Sequence, residues 1–194
     1  NNNLIEACTA TLNTTGNLNG ILNTGACTVA LNLSDNTFTN CVNNASNGNT
    51  YLMFNSGAAA SAVITITNNS VSSFSNTVSG TGSFNGIYTT GTNYTSLSIL
   101  NSNFSNNKWI ASTGFISLIQ SNGVATNSVS SIRLSDNVIS NSSASITSNA
   151  PFYGIYNSTA SSQTLQVNTN SITNFTIHTV NGANYLLYNS GAIT

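Results

Sequence analysis

Apolar residues in this chain fall in short alternating runs that return at a nearly fixed interval. The first clear run is Leu31-Asn-Leu33-Ser-Asp35-Asn36-Thr-Phe38-Thr-Asn40. It returns as Ile64-Thr-Ile66-Thr-Asn68-Asn69-Ser-Val71 and as Leu97-Ser-Ile99-Leu-Asn101-Ser102-Asn103-Phe104-Ser-Asn106. Two further copies are Ile132-Arg-Leu134-Ser-Asp136-Asn137-Val-Ile139-Ser-Asn141 and Leu165-Gln-Val167-Asn-Thr169-Asn170-Ser-Ile172-Thr-Asn174. Their first residues are 33, 33, 35 and 33 positions apart. A period of this size marks an array of stacked units. Inside each run the apolar residues alternate with polar ones, the spacing of a strand with one face in and one face out. The pair Asp35-Asn36 breaks the alternation and Phe38 resumes it. Asn and Asp tolerate left-handed backbone angles, so a corner is expected there.

A second element lies between copies of the first. It reads Gly20-Ile21-Leu22-Asn23-Thr24-Gly25, Leu52-Met53-Phe54-Asn55-Ser56-Gly57, Gly86-Ile87-Tyr88-Thr89-Thr90-Gly91 and Leu118-Ile119-Gln120-Ser121. Gly154-Ile155-Tyr156-Asn157-Ser158 and Leu186-Leu187-Tyr188-Asn189-Ser190-Gly191 complete the set. Each is an apolar stretch closed by Asn, Ser or Gly, a strand running into a turn. No helical apolar stripe occurs, and β-branched residues, Ser, Thr, Asn and Gly dominate. Strand, corner, strand, loop and strand make one coil. The predicted fold is all-β, a single right-handed parallel β-helix of about six coils of roughly 33 residues, in one domain spanning residues 1–194. The rival arrangement, an antiparallel sandwich, calls for tight Asn-Gly hairpins at 8–12-residue spacing, which are not seen.

Stacking places like residues above one another about 4.8 Å apart. Asn36, Asn69, Asn137 and Asn170 then form a column interrupted by Ser102, with amides able to bond along it. Shifting by one period adds Asn3 to that column and sets Ile5 beneath Phe38. Phe38, Val71, Phe104, Ile139 and Ile172 make an internal apolar column. Tyr88, Tyr156 and Tyr188 are expected to stack on the surface of the turn. Cys8 and Cys41 lie one coil apart, within the reach of a disulfide, and a staple there suits an oxidising compartment. Cys27 is left over, a small buried apolar residue.

The Leu-x-Ile-x-x-Asn-x-Phe-x-Asn run resembles the right-handed parallel β-helix repeat of the pectin-lyase-like superfamily, over nearly the whole chain. Within it, Ser56-Gly57-Ala58 and Ser190-Gly191-Ala192 alternating with Phe-x-Asn are similar to the passenger domains of surface adhesins. Those families space Phe and Asn one residue further apart. The resemblance implies a fold shared by enzymes, adhesins and inert fibres, and so leaves function open.

Composition narrows the functions. Asn, Ser and Thr supply 94 of 194 residues and five residues carry a formal charge, so steering toward nucleic acid or anionic lipid is not expected. No run of 18 apolar residues is present, and no membrane insertion is expected. The chain opens on Asn1-Asn2-Asn3 without a signal-peptide pattern, which reads as a processed protein or one unit of a longer chain or filament. Asn-x-Ser/Thr triplets occur at Asn13, Asn32, Asn44, Asn68, Asn93, Asn103, Asn141, Asn157 and Asn174. They are candidate N-glycosylation sites if the chain is secreted.

Enzymes of the resembled superfamily use clustered Asp residues, Ca²⁺, and Arg or Lys on one face; this chain holds Glu6, Asp35, Asp136, Arg133 and Lys108. Asp35 and Asp136 share a corner position three coils apart, about 14 Å by stacking, whereas paired carboxylates of glycosidases lie within about 10 Å. A structural corner role is expected for both, and Arg133 is expected in solvent. His178 stands without a second His or a Cys nearby, so no zinc site or triad is expected. Trp109 falls in a stretch, Asn106 to Ala111, that reads as a loop with the Trp partly buried. No catalytic residues, metal or cofactor are expected.

The expected function is a non-enzymatic extracellular or cell-surface structural protein, a fibre subunit or adhesin stalk. Neither end shows a polar or helical cap, and open strand edges template further pairing, so end-to-end self-association is expected. The alternative is a glycan- or ice-binding surface module. Ice would want a regular Thr-x-Thr column, and Thr37-Thr39 and Thr65-Thr67 do not share a register. A degenerate polysaccharide lyase or hydrolase is the third reading.

Overall fold

The computed structural model describes residues 1–12, 15–57, 62–90, 94–123 and 129–192. Every strand pairing among them is parallel, and each strand pairs with its equivalent one coil away. The chain is a parallel β-solenoid. Its coil has four strand places.

The Leu-x-Ile place gives a five-stranded sheet of Ala30–Ser34, Val63–Thr67, Ser96–Leu100, Val129–Ser135 and Ser161–Gln166. After the corner come Leu4–Glu6, Thr37–Thr39, Ser70–Ser72 and Asn103–Ser105. A second corner leads to Thr9–Leu12, Val42–Ala45, Ser75–Val78 and Lys108–Ala111. In the last two coils these two places run together as Val138–Ile146 and Ser171–Thr179, joining both sets into one ten-stranded sheet. The second sequence element forms the six-stranded sheet of Leu18–Asn23, Thr50–Asn55, Phe84–Thr89, Ile116–Ser121, Phe152–Asn157 and Asn184–Asn189.

The corners are made by left-handed residues. Positive φ occurs at Asn2 and Ala7, Asp35 and Asn40, Asn68 and Ser73, Asn101 and Asn106, Asp136 and Asn141, and Thr169 and Asn174. Each pair is five residues apart, and Asn or Asp fills most of the places because a short polar side chain lowers the cost of that backbone. The first corner falls where the sequence places it. The second, at Ala7, Asn40, Ser73, Asn106, Asn141 and Asn174, carries no apolar break and is not legible from alternation alone.

The core is a set of vertical files. Leu31, Ile64, Leu97, Ile132 and Leu165 stack in register, as do Ile5, Phe38, Val71, Phe104, Ile139 and Ile172. Trp109 corrects the loop reading: it lies in the strand Lys108–Ala111 and is fully buried between Phe84 and Phe175. In the six-stranded sheet one core position alternates Gly20, Leu52, Gly86, Leu118, Gly154, Leu186. A Cβ on Gly86 would sit 2.6 Å from the Phe104 ring and 2.4 Å from the Leu118 carbonyl oxygen. Glycine therefore admits the Phe38 and Phe104 rings, and at Gly154 the close neighbour is the Leu186 carbonyl oxygen at 2.5 Å.

Candidate functional site

The corner asparagines form the ladder that the repeat predicts. Asn3 Nδ2 donates to Asn36 Oδ1 at 2.8 Å, and Asn36 Nδ2 to Asn69 Oδ1 at 2.9 Å. Asn137 Nδ2 donates to Asn170 Oδ1 at 3.1 Å and to the Ile99 carbonyl at 3.1 Å. Backbone amides join in: Asn36 N–H reaches Asn69 Oδ1 and Asn137 N–H reaches Asn170 Oδ1, both at 3.0 Å. Ser102 interrupts the side-chain file, but its N–H still donates to Asn137 Oδ1 at 3.0 Å. Each amide oxygen thus satisfies a corner N–H in the preceding coil that no strand can reach.

Further ladders lie where sequence reading places none. Asn23 and Asn157 donate upward to Asn55 and Asn189 at 2.7 and 2.8 Å, at the end of the six-stranded sheet. Asn43, Thr50 and Asn76 form a fully buried knot, with Asn43 Nδ2 2.7 Å from Thr50 Oγ1 and 2.8 Å from Asn76 Oδ1. The available signal was the 33-residue spacing of Asn43 and Asn76, hidden among so many other asparagines.

The outer face of the six-stranded sheet carries aromatic rings. Tyr51, Phe54 and Tyr88 form one cluster with centroids 4.6–5.7 Å apart. Tyr153, Tyr156, Tyr185 and Tyr188 form another, at 4.4–5.9 Å. All seven rings are half-exposed. The expected file of Tyr88, Tyr156 and Tyr188 is corrected in part. Tyr156 stacks on Tyr188, Gln120 separates Tyr88 from them, and the rings stand on a sheet rather than a turn. Burial pushes the Tyr153 phenol up, and its three tyrosine neighbours add to the effect. Tyr51 is raised by burial and by Tyr88.

Asp35 and Asp136 occupy the same corner column, each with positive φ. Asn68 Nδ2 donates to Asp35 Oδ1 at 3.1 Å, and Asp136 pairs with Arg133 at 3.3 Å on an exposed surface. His178 is exposed, and no group of three His, Cys, Asp or Glu residues comes together among the described residues. Cys8 and Cys41 are vertical neighbours, since Thr9 pairs with Val42, and both are free thiols, as is Cys27. Burial raises the Cys41 thiol. Of the triplets, Asn32, Asn44, Asn68, Asn103, Asn141 and Asn174 are exposed, while Asn13 and Asn93 lie outside the described residues. Asn157 is corrected: it is buried with its amide committed to a ladder, which leaves no room for a glycan.

The first and last coils bare the core. Leu187 is 52% exposed, whereas Ile155 and Ile119 in the same file are at 1% and 0%. Leu186 is 47% exposed against 0% for Leu118. Comparison with protein-family models, with curated proteins and with solved structures returns no match.

Proposed function

We propose that this chain is a non-enzymatic structural protein of the extracellular space or cell surface, a length of β-solenoid fibre or adhesin stalk that stacks end to end. The observation that carries the reading is the unbroken parallel stacking of one coil on the next, which presents long repetitive faces. Parallel strand edges of this kind pair with further strands. The relation to the pectin-lyase-like superfamily, and to its adhesin-type members, belongs to this proposal and is supported by the coil repeat. Glycans on the exposed Asn triplets would suit the same setting. The test is sedimentation and electron microscopy of the purified chain over a wide concentration range. Growth of rod-like particles with concentration is the expected result; globular monomers throughout argue against it.

A second reading, glycan binding, draws on the half-exposed rings. Tyrosine faces stack on the apolar faces of sugars, and an uncharged surroundings suits neutral ones. Binding on a neutral-glycan array that is lost in Tyr156→Ala would favour it. Ice binding gains nothing, because Thr37-Thr39 and Thr65-Thr67 lie in different sheets.

A further inference from the structure

Among the described strands, tyrosine stands directly over tyrosine in one place, on the outer face of the six-stranded sheet. Tyr153 pairs in register with Tyr185, and Tyr156 with Tyr188. Their ring centroids are 5.4 and 5.2 Å apart, with planes 8° and 32° off parallel. In-register side chains of neighbouring parallel strands leave the sheet side by side and in the same direction, so ring stands over ring. This face is lateral to the stack, and all four rings are half-exposed. The other aromatic cluster has no such pair: Tyr88 stands over Phe54, and Tyr51 is the neighbour of Asn85. Other readily oxidised side chains are buried or distant. The single Trp109 and the single Met53 are buried, and the thiols of Cys8, Cys27 and Cys41 belong to the first coils.

We propose that this tyrosine face is a site of oxidative phenol coupling, at which Tyr153 is joined to Tyr185 and Tyr156 to Tyr188 by carbon–carbon bonds between their rings. The oxidant is hydrogen peroxide used by a peroxidase, which withdraws electrons one at a time. Each phenol gives up one electron and one proton and becomes a phenoxyl radical. The peroxide accepts the two electrons and two protons of a pair and leaves as two waters. The two radicals then combine at the ring carbons next to the C–O carbon. One C–C bond forms, and the hydrogens on the joined carbons move to the oxygens, which restores both aromatic rings and both hydroxyls. The pair ends lighter by two hydrogen atoms. Turning of the half-exposed rings about their side-chain bonds, a fast motion at a surface, brings these carbons from stacking distance into contact. The product is a covalent rung between neighbouring coils. It closes the chain from Tyr153 to Tyr185, and closing a long loop lowers the entropy of the unfolded chain. The rungs form within one chain and are independent of any stacking of copies.

The test treats the chain with peroxidase and hydrogen peroxide at low protein concentration. It carries Cys8→Ser, Cys27→Ser and Cys41→Ala, because free thiols would reduce the radicals. Emission of the buried Trp109 and a melting curve confirm that each variant is folded beforehand. The expected result is dityrosine fluorescence from a product that still runs as a single chain on a denaturing gel. Mass spectrometry should find a fragment holding Tyr153 and Tyr156 joined to one holding Tyr185 and Tyr188, and the melting temperature should rise. The fluorescence should be lost when Tyr185→Phe and Tyr188→Phe are combined, and kept in Tyr51→Phe. Fluorescence that survives the loss of Tyr185 and Tyr188 overturns the proposal. So does a product linking Tyr51 to Tyr88, or Tyr153 to Tyr156 within one strand, because neither pair is in register. Links found only between chains, or no dityrosine from a folded chain, overturn it as well.

Discussion

At the residue scale, asparagine does two jobs that apolar residues cannot. At the corners it accepts a left-handed backbone, and one position later its amide holds the turn of the neighbouring coil. Asn137 serves Ser102, Asn170 and the Ile99 carbonyl at once. Asn137→Leu is expected to lose about 2–4 kcal/mol, since each buried polar group left unpaired costs about 1–3; a urea midpoint at unchanged slope would read it. Thr169 is the one β-branched residue among the left-handed corners. Thr169→Asn, the residue that fills this place at Asn2, Asn68 and Asn101, is expected to gain about 1 kcal/mol by relieving the backbone. Tyr94 gives a pH prediction. It is buried among Thr89, Ser121 and Thr159, and burial raises its phenol above the ordinary value of 10.0. The folded chain then holds that proton to higher pH than the unfolded chain. Its contribution is complete below pH 10 and falls away as pH climbs through the raised value. Melting temperature should decline above pH 10, and less steeply in Tyr94→Phe.

At the scale of elements, the strands were readable because period-two alternation reports which face is buried. Leu31 and Leu33, Ile64 and Ile66, and Leu97 and Ile99 fall in strands in the predicted register. The strand holding Trp109 was not readable as one, because Asn106, Asn107 and Lys108 before it are polar. Only the pairing of Lys108 with Ser75 and Ser143 shows it to be a strand. Glycine separates packing from turn-making at this scale. Gly86→Ala drives a methyl into Phe104 and the Leu118 carbonyl and is expected to cost about 1–3 kcal/mol. Gly25→Ala, whose methyl would meet only Asn23 Oδ1 at 3.8 Å, is expected to stay within about 0.5 kcal/mol. The two can be compared by denaturant titration; equal losses would undo the account of the glycine–leucine alternation.

At the scale of the molecule, each coil touches only its neighbours, so stability is close to a sum over coils and their interfaces. The end coils have one interface and the inner coils two. Amide hydrogen exchange should therefore be slowest in strands such as Ser96–Leu100 and Lys108–Ala111 and fastest in Leu4–Glu6 and Asn184–Asn189. Raising protein concentration should slow exchange at both ends together if copies stack. Uniform protection along the chain would contradict a quasi-linear array.

Sequence alone set the coil length, the first corner, the Asn36–Asn170 ladder and the apolar file of Phe38 and Phe104. Each of these follows from a period of two or of 33, and a period is a property of the chain read in order. Tertiary structure decided what depends on contacts between different places in the coil. Stacking turned Asn43, Thr50 and Asn76 inward as a bonded knot and split the tyrosines into two clusters. It also committed Asn157 to a ladder rather than to solvent. Which asparagine faces water and which faces a neighbour is fixed by the coil above and below it, and in a chain so rich in one residue type no local pattern can tell them apart.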